Sequence, residues 1–280
     1  MQPLAPGRWL GLPVRVVSAL VLAPPVLAAL YFGPPYSDVL ICAAAALTAW
    51  EWARLCGGED LGLPGAVLIG AVLATSLAAI LGLYSVAGWI IVTGAVVTAL
   101  AATRARIGEP LWYAVGAAYL GSAVLAFVWL RDDPVAGRAV ILWLIAVVWA
   151  TDVGGFLAGR SIGGPRLAPT ISPGKTWAGL AGAMLAAAVA GMAVALALGS
   201  ADHGPAGLAR IAAAGAALAV VAQVGDLFES HLKRRAGAKD SSRIIPGHGG
   251  LLDRIDGLLA AALALGGAIR LTGGMEVTWL

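Results

Sequence analysis

Charge is what this sequence most lacks. Of its 280 residues, 12% are Asp, Glu, Lys or Arg and 60% are hydrophobic. A soluble domain carries about twice that charged fraction, so an ordinary water-soluble fold is excluded. Cysteine is nearly absent. Cys42 and Cys56 are the only two, too few for a disulfide framework, and they read as ordinary buried thiols. Three histidines with no Cys/His spacing exclude a structural zinc site. A net charge of +3 is too small to imply nucleic-acid binding, and no nucleic-acid partner is expected. There is no internal repeat, no low-complexity tail and no room for a separate soluble domain.

What the chain has instead is long apolar runs. They fall near 14–32, 38–55, 63–83, 86–103, 111–130, 139–158, 177–198, 208–228 and 251–272. The fold class is therefore all-α: a polytopic integral membrane protein of about nine transmembrane helices. Arg8 and Arg15 precede the first run without a convincing cleavage site, which predicts an uncleaved first span. Alternating the loops puts fourteen of the eighteen Lys and Arg on the side of the N-terminus and leaves Arg131, Arg138, Arg210 and Arg270 opposite. By the positive-inside rule the N-terminus is cytoplasmic, and so are the polar loops 159–176 and 229–250. Residues 1–135 read as N-terminal transmembrane helices, and 136–280 as a catalytic transmembrane region carrying those loops. Abundant Gly and Ala suit close helix packing. Trp9, Trp50, Trp52, Trp112, Trp129, Trp143 and Trp149 read mostly as interfacial anchors, and Glu51 as an interfacial ion pair with Arg54.

The scarce charge is concentrated. Ser230 to Asp256 holds six Lys or Arg, two His and four Gly, together with Asp240, Asp253 and Asp256. If the eighth run continues as helix, Asp226, Ser230 and Lys233 share a face. A bare Asp at a membrane helix end is costly unless paired, hydrated or metal-bound. An Asp226–Lys233 pair is the plain alternative. Asp253 and Asp256 also share a face, and two adjacent carboxylates repel unless protonated or bridged. With Asp226 they make three hard oxygen donors, the ligand type Mg²⁺ takes; a salt-bridge network with Arg254 is the competing reading. Lys233, Arg234, Lys239 and Arg243 could neutralise phosphates or simply obey the positive-inside rule. Gly249 and Gly250 lead into a helix start, a natural anion site. The earlier loop runs from Asp152 to Thr176, with Ser172 as a plausible N-cap and Lys175 in the first helical turn. Its Gly-Lys-Thr lacks the upstream glycine spacing and strand of a P-loop.

Together these residues resemble the phosphatidate cytidylyltransferase (CDP-diacylglycerol synthase) family. Its signature is Ser-x-apolar-Lys-Arg-x4-Lys-Asp-x-small-x2-apolar-Pro-x-His-Gly-Gly-apolar-x-Asp-Arg-apolar-Asp. Ser230, Lys233, Arg234, Lys239, Asp240, Ser242, Ile245, Pro246, His248, Gly249, Gly250, Asp253, Arg254 and Asp256 meet it with correct spacing. The resemblance is specific over about 150–260. Two positions depart: Gly174 stands where relatives usually have a second Lys, and Ala178 where they have Glu.

The resemblance implies transfer of CMP from CTP to phosphatidic acid, giving CDP-diacylglycerol and pyrophosphate; the Ala/Gly/Arg-rich composition favours a bacterial plasma membrane over an endoplasmic-reticulum one, and the Lys/Arg bias a site facing the cytoplasm. The resemblance also implies Mg²⁺, with a monovalent cation such as K⁺ sharing the centre, and a homodimer. On this reading Asp226, Asp253 and Asp256 hold the metal. Asp226, Lys233, Lys239, Asp253 and Arg254 carry the catalytic roles. Asp152, Ser172, Lys175, Ser230, Arg234, Asp240, His248, Gly249 and Gly250 bind substrate. A cleft between the eighth and ninth runs admits the lipid. A CDP-alcohol phosphotransferase fails on its own residues, since Ala261 stands where that motif needs Arg. A CTP-dependent polyprenol kinase would use similar cations, and a transporter would need paired polar residues at the midplane of two related halves.

Overall fold

The computed structural model describes residues 11–58, 61–198, 204–245, 247 and 249–272, with side chains from Leu20 onward. Among these residues the chain forms nine α-helices and one short hairpin. The helices are α1 (Gly11–Phe32), α2 (Tyr36–Gly57), α3 (Gly62–Ile80), α4 (Tyr84–Ala105), α5 (Pro110–Arg131), α6 (Gly137–Ser161), α7 (Trp177–Ala197), α8 (Gly204–Arg235) and α9 (Leu252–Leu271). The hairpin is β1 (Arg166–Ala168) with β2 (Ser172–Thr176), antiparallel, between α6 and α7. Uninterrupted apolar sequence folds this way because a helix satisfies every backbone polar group within the segment. The breaks fall where left-handed backbone is needed, as at Gly33 (φ 76°) and Gly82 (φ 74°).

Seven helices, α2 through α8, are long and apolar enough to cross a membrane. In α1 the side-chain-described part, Leu20–Phe32, is apolar but shorter. The helix α9 carries Asp253, Arg254 and Asp256 in its first turns, so composition alone does not qualify it.

Two apolar clusters organise the bundle. One gathers α2, α3 and α5 around Trp52, Tyr113 and Leu120, and reaches Leu252 and Leu259 of α9. The other gathers α6, α7 and α8 around Trp143 and reaches Ala261 and Leu265 of α9. The last helix is thus packed into both clusters, which is why it tolerates charge at one end. Trp52 and Trp143 are fully buried rather than interfacial. Each has its indole N–H satisfied inside, by the Trp112 carbonyl at 2.8 Å and the Gly191 carbonyl at 3.1 Å. Burying the large ring is favourable once its one donor is paired. Trp9 lies outside the described residues. Cys42 and Cys56 are free thiols.

The hairpin corrects a detail of the sequence reading. Ser172 and Lys175 lie in β2, not at a helix start. The cap of α7 is Thr176, whose Oγ1 accepts from the Gly179 N–H at 3.0 Å. Pairing with β1 holds the segment extended until Trp177.

Helices α6 and α7 pack extensively and meet on a seam of small residues. A Cβ at Gly182 would lie 2.2 Å from the Ala158 Cβ, and one at Gly154 would lie 2.4 Å from the Ala186 Cβ. With lipid outside and no water to expel, such close contact is the main attraction between helices. Gly182→Val should therefore destabilise the protein by about 1–3 kcal/mol, read as a lower midpoint of thermal unfolding in detergent. Gly174→Ala, at a position where a Cβ meets nothing within 4 Å, should leave the midpoint unchanged. Equal midpoints for both would contradict the seam.

Candidate active site

The approach of α8 to α9 sets the site. A Cβ at Gly225 would lie 2.6 Å from the Ala260 Cβ and 2.8 Å from the Asp256 carbonyl oxygen. Gly257 faces Ala222 across the same contact. The residue after Gly225 is Asp226, so the missing side chain draws Asp226 toward Asp256. Glu229, nearly one turn on, joins them. One carboxylate oxygen from each of Asp226, Glu229 and Asp256 lies within 4.8 Å of the others. Three carboxylates at that separation repel strongly unless a cation or proton intervenes.

Glu229 is 2% exposed, and neither of its oxygens has a hydrogen-bond partner. Lys233 Nζ lies 2.5 Å from its Oε2 but is not aligned as a hydrogen bond. An all-oxygen donor set with buried, under-satisfied lone pairs fits a hard divalent cation.

Cations ring this centre. Lys175 Nζ, carried inward by β2, lies 2.6 Å from Asp226 Oδ2 and also donates to the Gln223 carbonyl. Ser230 donates to Asp226 Oδ1 at 3.2 Å. Lys233 bridges Glu229 and Asp253, at 2.5 Å from each, so the Asp226–Lys233 pair considered from sequence does not form. Asp152 on α6 is within electrostatic reach of Asp226, Lys175 and Arg254. Arg254 is exposed and makes no ion pair among the described residues.

Asp253 stands apart from the metal-competent group. Its Oδ1 takes Lys233; its Oδ2 accepts from Ser241 N–H (2.9 Å), Ser241 Oγ (2.9 Å) and Gly250 N–H (2.8 Å). Those four bonds make it a clamp on the loop preceding α9. In the candidate metal set Glu229 takes the place the sequence reading gave to Asp253. The spacing put Asp253 and Asp256 on one helix, but only the packed neighbour decides which acid faces α8.

Glu51 is the other surprise. It is fully buried on α2, with no ion pair to Arg54, whose guanidinium lies over the Trp50 ring instead. Its Oε1 accepts from Ser242 Oγ (2.6 Å) and Leu251 N–H (2.9 Å), and its Oε2 from Leu252 N–H (2.6 Å). The start of α9, expected to receive a substrate phosphate, is thus filled by the protein's own carboxylates. A helix N-terminus attracts any anion, and here Glu51 and Asp253 occupy it. Gly250 must be glycine, since a Cβ there would fall 2.0 Å from Ser241 Oγ and 2.4 Å from Glu51 Oε1. Gly249 adopts φ 87° beside Asp253.

Of the remaining expected residues, Arg234 donates to the Ile171 and Ala238 carbonyls and ties α8 to the hairpin loop. Lys239 and Asp240 are exposed on the following loop. Ser172 is half-buried in β2. His248 lies outside the described residues. Sequence reasoning missed Glu51 and Glu229. The second had a signal, three residues after Asp226 on a helix; the first, some 200 residues from its partners, had none.

The chain matches the model of the "Cytidylyltransferase family" over residues 13–271. It is 37% identical over 262 residues to a phosphatidate cytidylyltransferase of Brucella suis biovar 1, covering 91% of this chain and 92% of that one. Likeness to the Pseudomonas aeruginosa protein of that name is 37% over 258 residues, 88% of this chain and 93% of the relative. The Haemophilus influenzae protein is 33% identical over 276 residues, covering 88% and 94%.

The Glu51 contacts make a direct prediction. Glu51→Ala strands two buried N–H groups and should cost about 1–3 kcal/mol, with a loss of turnover as the loop before α9 shifts. Thermal unfolding and turnover in detergent check it; wild-type values for both would remove Glu51 from the site's framework.

Proposed function

The chain belongs to the cytidylyltransferase family, and we propose that its carboxylate centre joins CTP to phosphatidic acid, giving CDP-diacylglycerol and pyrophosphate. The observation that carries this is the convergence of Asp226, Glu229 and Asp256 within 4.8 Å, flanked by Lys175 and Lys233. Two anionic substrates must approach one another, so the site needs positive charge more than a base. A phosphate monoester oxygen of the lipid attacks the α-phosphorus of CTP. The bond from that phosphorus to the bridging oxygen breaks, and pyrophosphate leaves with the electron pair. No covalent enzyme intermediate is needed.

Asp226, Glu229 and Asp256 would hold Mg²⁺, with K⁺ as a companion; bound there, a divalent cation supplies charge neutralisation for phosphate oxygens. Lys175 and Lys233 hold the carboxylates in place and offset their repulsion. Arg254 and Lys239, which make no ion pair among the described residues, are available to substrate phosphates, and Ser230 orients Asp226. Asp253 acts by positioning Lys233.

The lipid has a place to lie. An apolar groove of about 360 Å³ between α5, α8 and α9 is lined by Tyr119, Val224, Phe228 and Leu263, among others, and by Gly225 itself. It adjoins the α8–α9 contact that carries the carboxylates, since Gly225 lines it and its Tyr119 hydroxyl donates to the Asp256 backbone carbonyl at 3.4 Å. An acyl chain there would bring its phosphate beside Asp226. This supports the expected cleft between the eighth and ninth helices.

In the membrane we place α1 and α9 as spans beside the seven apolar helices. The N-terminus and the site face the cytoplasm of a bacterial inner membrane. The Lys and Arg bias and the bacterial relatives support that orientation and location. A homodimer is proposed on the family resemblance.

The test is purified protein in detergent with phosphatidic acid, Mg²⁺ and CTP labelled at the α- or the γ-phosphorus. Label from the α position should enter the lipid, with pyrophosphate release abolished by EDTA. Label from the γ position would mean a lipid kinase. Asp226→Asn and Glu229→Gln should each lower turnover by at least about 100-fold while the protein stays folded. Substantial activity in the Glu229 variant would return the metal role to the aspartates alone.

A further inference from the structure

A second cavity, distinct from the groove beside the carboxylates, is larger than it. It has a volume of about 840 Å³ and lies where the ends of α2 and α8 meet the start of α5 and the loop after α8. Among the described residues four cations line it, Arg54, Arg235, Lys239 and Arg243, with two acids, Glu109 and Asp240. Arg235 is paired to Glu109 and stacks over the Trp112 ring, 5.4 Å from its centre. Lys239 and Arg243 make no ion pair among the described residues.

Unpaired cations beside an aromatic–guanidinium stack suit one ligand chemistry: a flat ring attached to several phosphates. Guanidinium and indole planes both stack on bases, and lysine and arginine neutralise phosphates. The volume falls in the range of small-molecule sites. The cavity is also connected to the carboxylates. Ser241 on its wall donates to Asp253, and Asp253 holds Lys233 against Glu229.

We propose that this cavity receives the nucleotide end of CTP, with the base packed on the Trp112–Arg235 stack and the phosphates drawn along Lys239 and Arg243 toward Lys233. The two substrates then lie one beyond the other along the same face of α8, on which Gly225, Phe228, Leu232 and Arg235 follow at helical spacing. The lipid lies in the apolar groove beside Gly225, the nucleotide in the charged cavity beside Leu232. The inference rests on the cytidylyl-transfer reading and adds the nucleotide's site to it.

The experiment uses the full-length protein in detergent with Trp112→Leu, Arg243→Ala and, as a control at the far end of α9, Arg270→Ala. Binding of labelled CTP is measured by equilibrium dialysis without lipid, and KM for CTP and for phosphatidate in mixed micelles. Each cavity variant should weaken CTP binding by about tenfold and leave the phosphatidate KM unchanged, with the control like wild type. Inhibition by pyrophosphate should weaken in Arg243→Ala, and inhibition by cytidine in Trp112→Leu. If Trp112→Leu does not fold, Arg243→Ala on its exposed loop carries the test alone. Unchanged CTP affinity in a wild-type background that transfers the α label would overturn this site and spare the reaction. A rise in phosphatidate KM alone would assign the cavity to a lipid headgroup and overturn it too. A wild-type protein that transfers no α label would instead sink the reaction itself.

Discussion

Everything at this site depends on how closely α8 and α9 approach. Gly225 has no Cβ, and any Cβ there would overlap Ala260 and the Asp256 carbonyl. The helices therefore meet backbone to side chain, and Asp226, Glu229 and Asp256 are brought together at a separation they would otherwise avoid. Packing in a lipid-surrounded bundle is strong enough to enforce this because the small-residue seam continues along the helix pair at Ala222 and Gly257. The repulsion is then balanced locally, by Lys175 on one flank and Lys233 on the other.

Charge in this protein is sorted into two jobs. Asp253 and Glu51 are saturated with donors and serve as framework, holding the loop before α9 and its first turn. Asp226, Glu229 and Asp256 instead converge on one another, and neither Glu229 oxygen has a hydrogen-bond donor. The distinction follows from hydrogen-bond capacity. A carboxylate that already accepts three or four donors has little left for a metal, whereas a buried oxygen without partners is costly until something fills it. Because Glu51 comes from α2, the N-terminal helices are structurally part of the site.

On the proposed reading, the layout gives an aqueous and a lipid substrate separate surfaces. An apolar groove lies beside Gly225 and Phe228, and a cationic cavity beside Leu232 and Arg235 further along the same face of α8. Each surface matches the solvation of one substrate, so neither has to shed its preferred environment before reaching the phosphates.

Much of this was legible in the chain. The apolar runs located eight of the helices to within three residues, because span length and hydropathy are local properties, while α8 continues seven residues past its run into the charged segment. The Ser230–Asp256 signature spans the α8–α9 turn, beside the carboxylate cluster, and the helical phase put Asp226, Ser230 and Lys233 on one face. What sequence could not supply was the partner of each charged group. Asp253 and Glu229 are both acids near the same turn; which one faces the metal-competent centre depends on the register of α9 against α8. Glu51 looked like an interfacial ion pair because its neighbours in sequence include Arg54, yet its partners are Ser242, Leu251 and Leu252. The N-terminus of α9 looked open to phosphate for the same reason. Sequence determined the helices, the family and the inventory of charged groups, since these depend on local pattern. Tertiary structure alone decided which carboxylates are saturated with donors and which cluster together, because a buried charge takes its surroundings from whichever distant groups are packed against it.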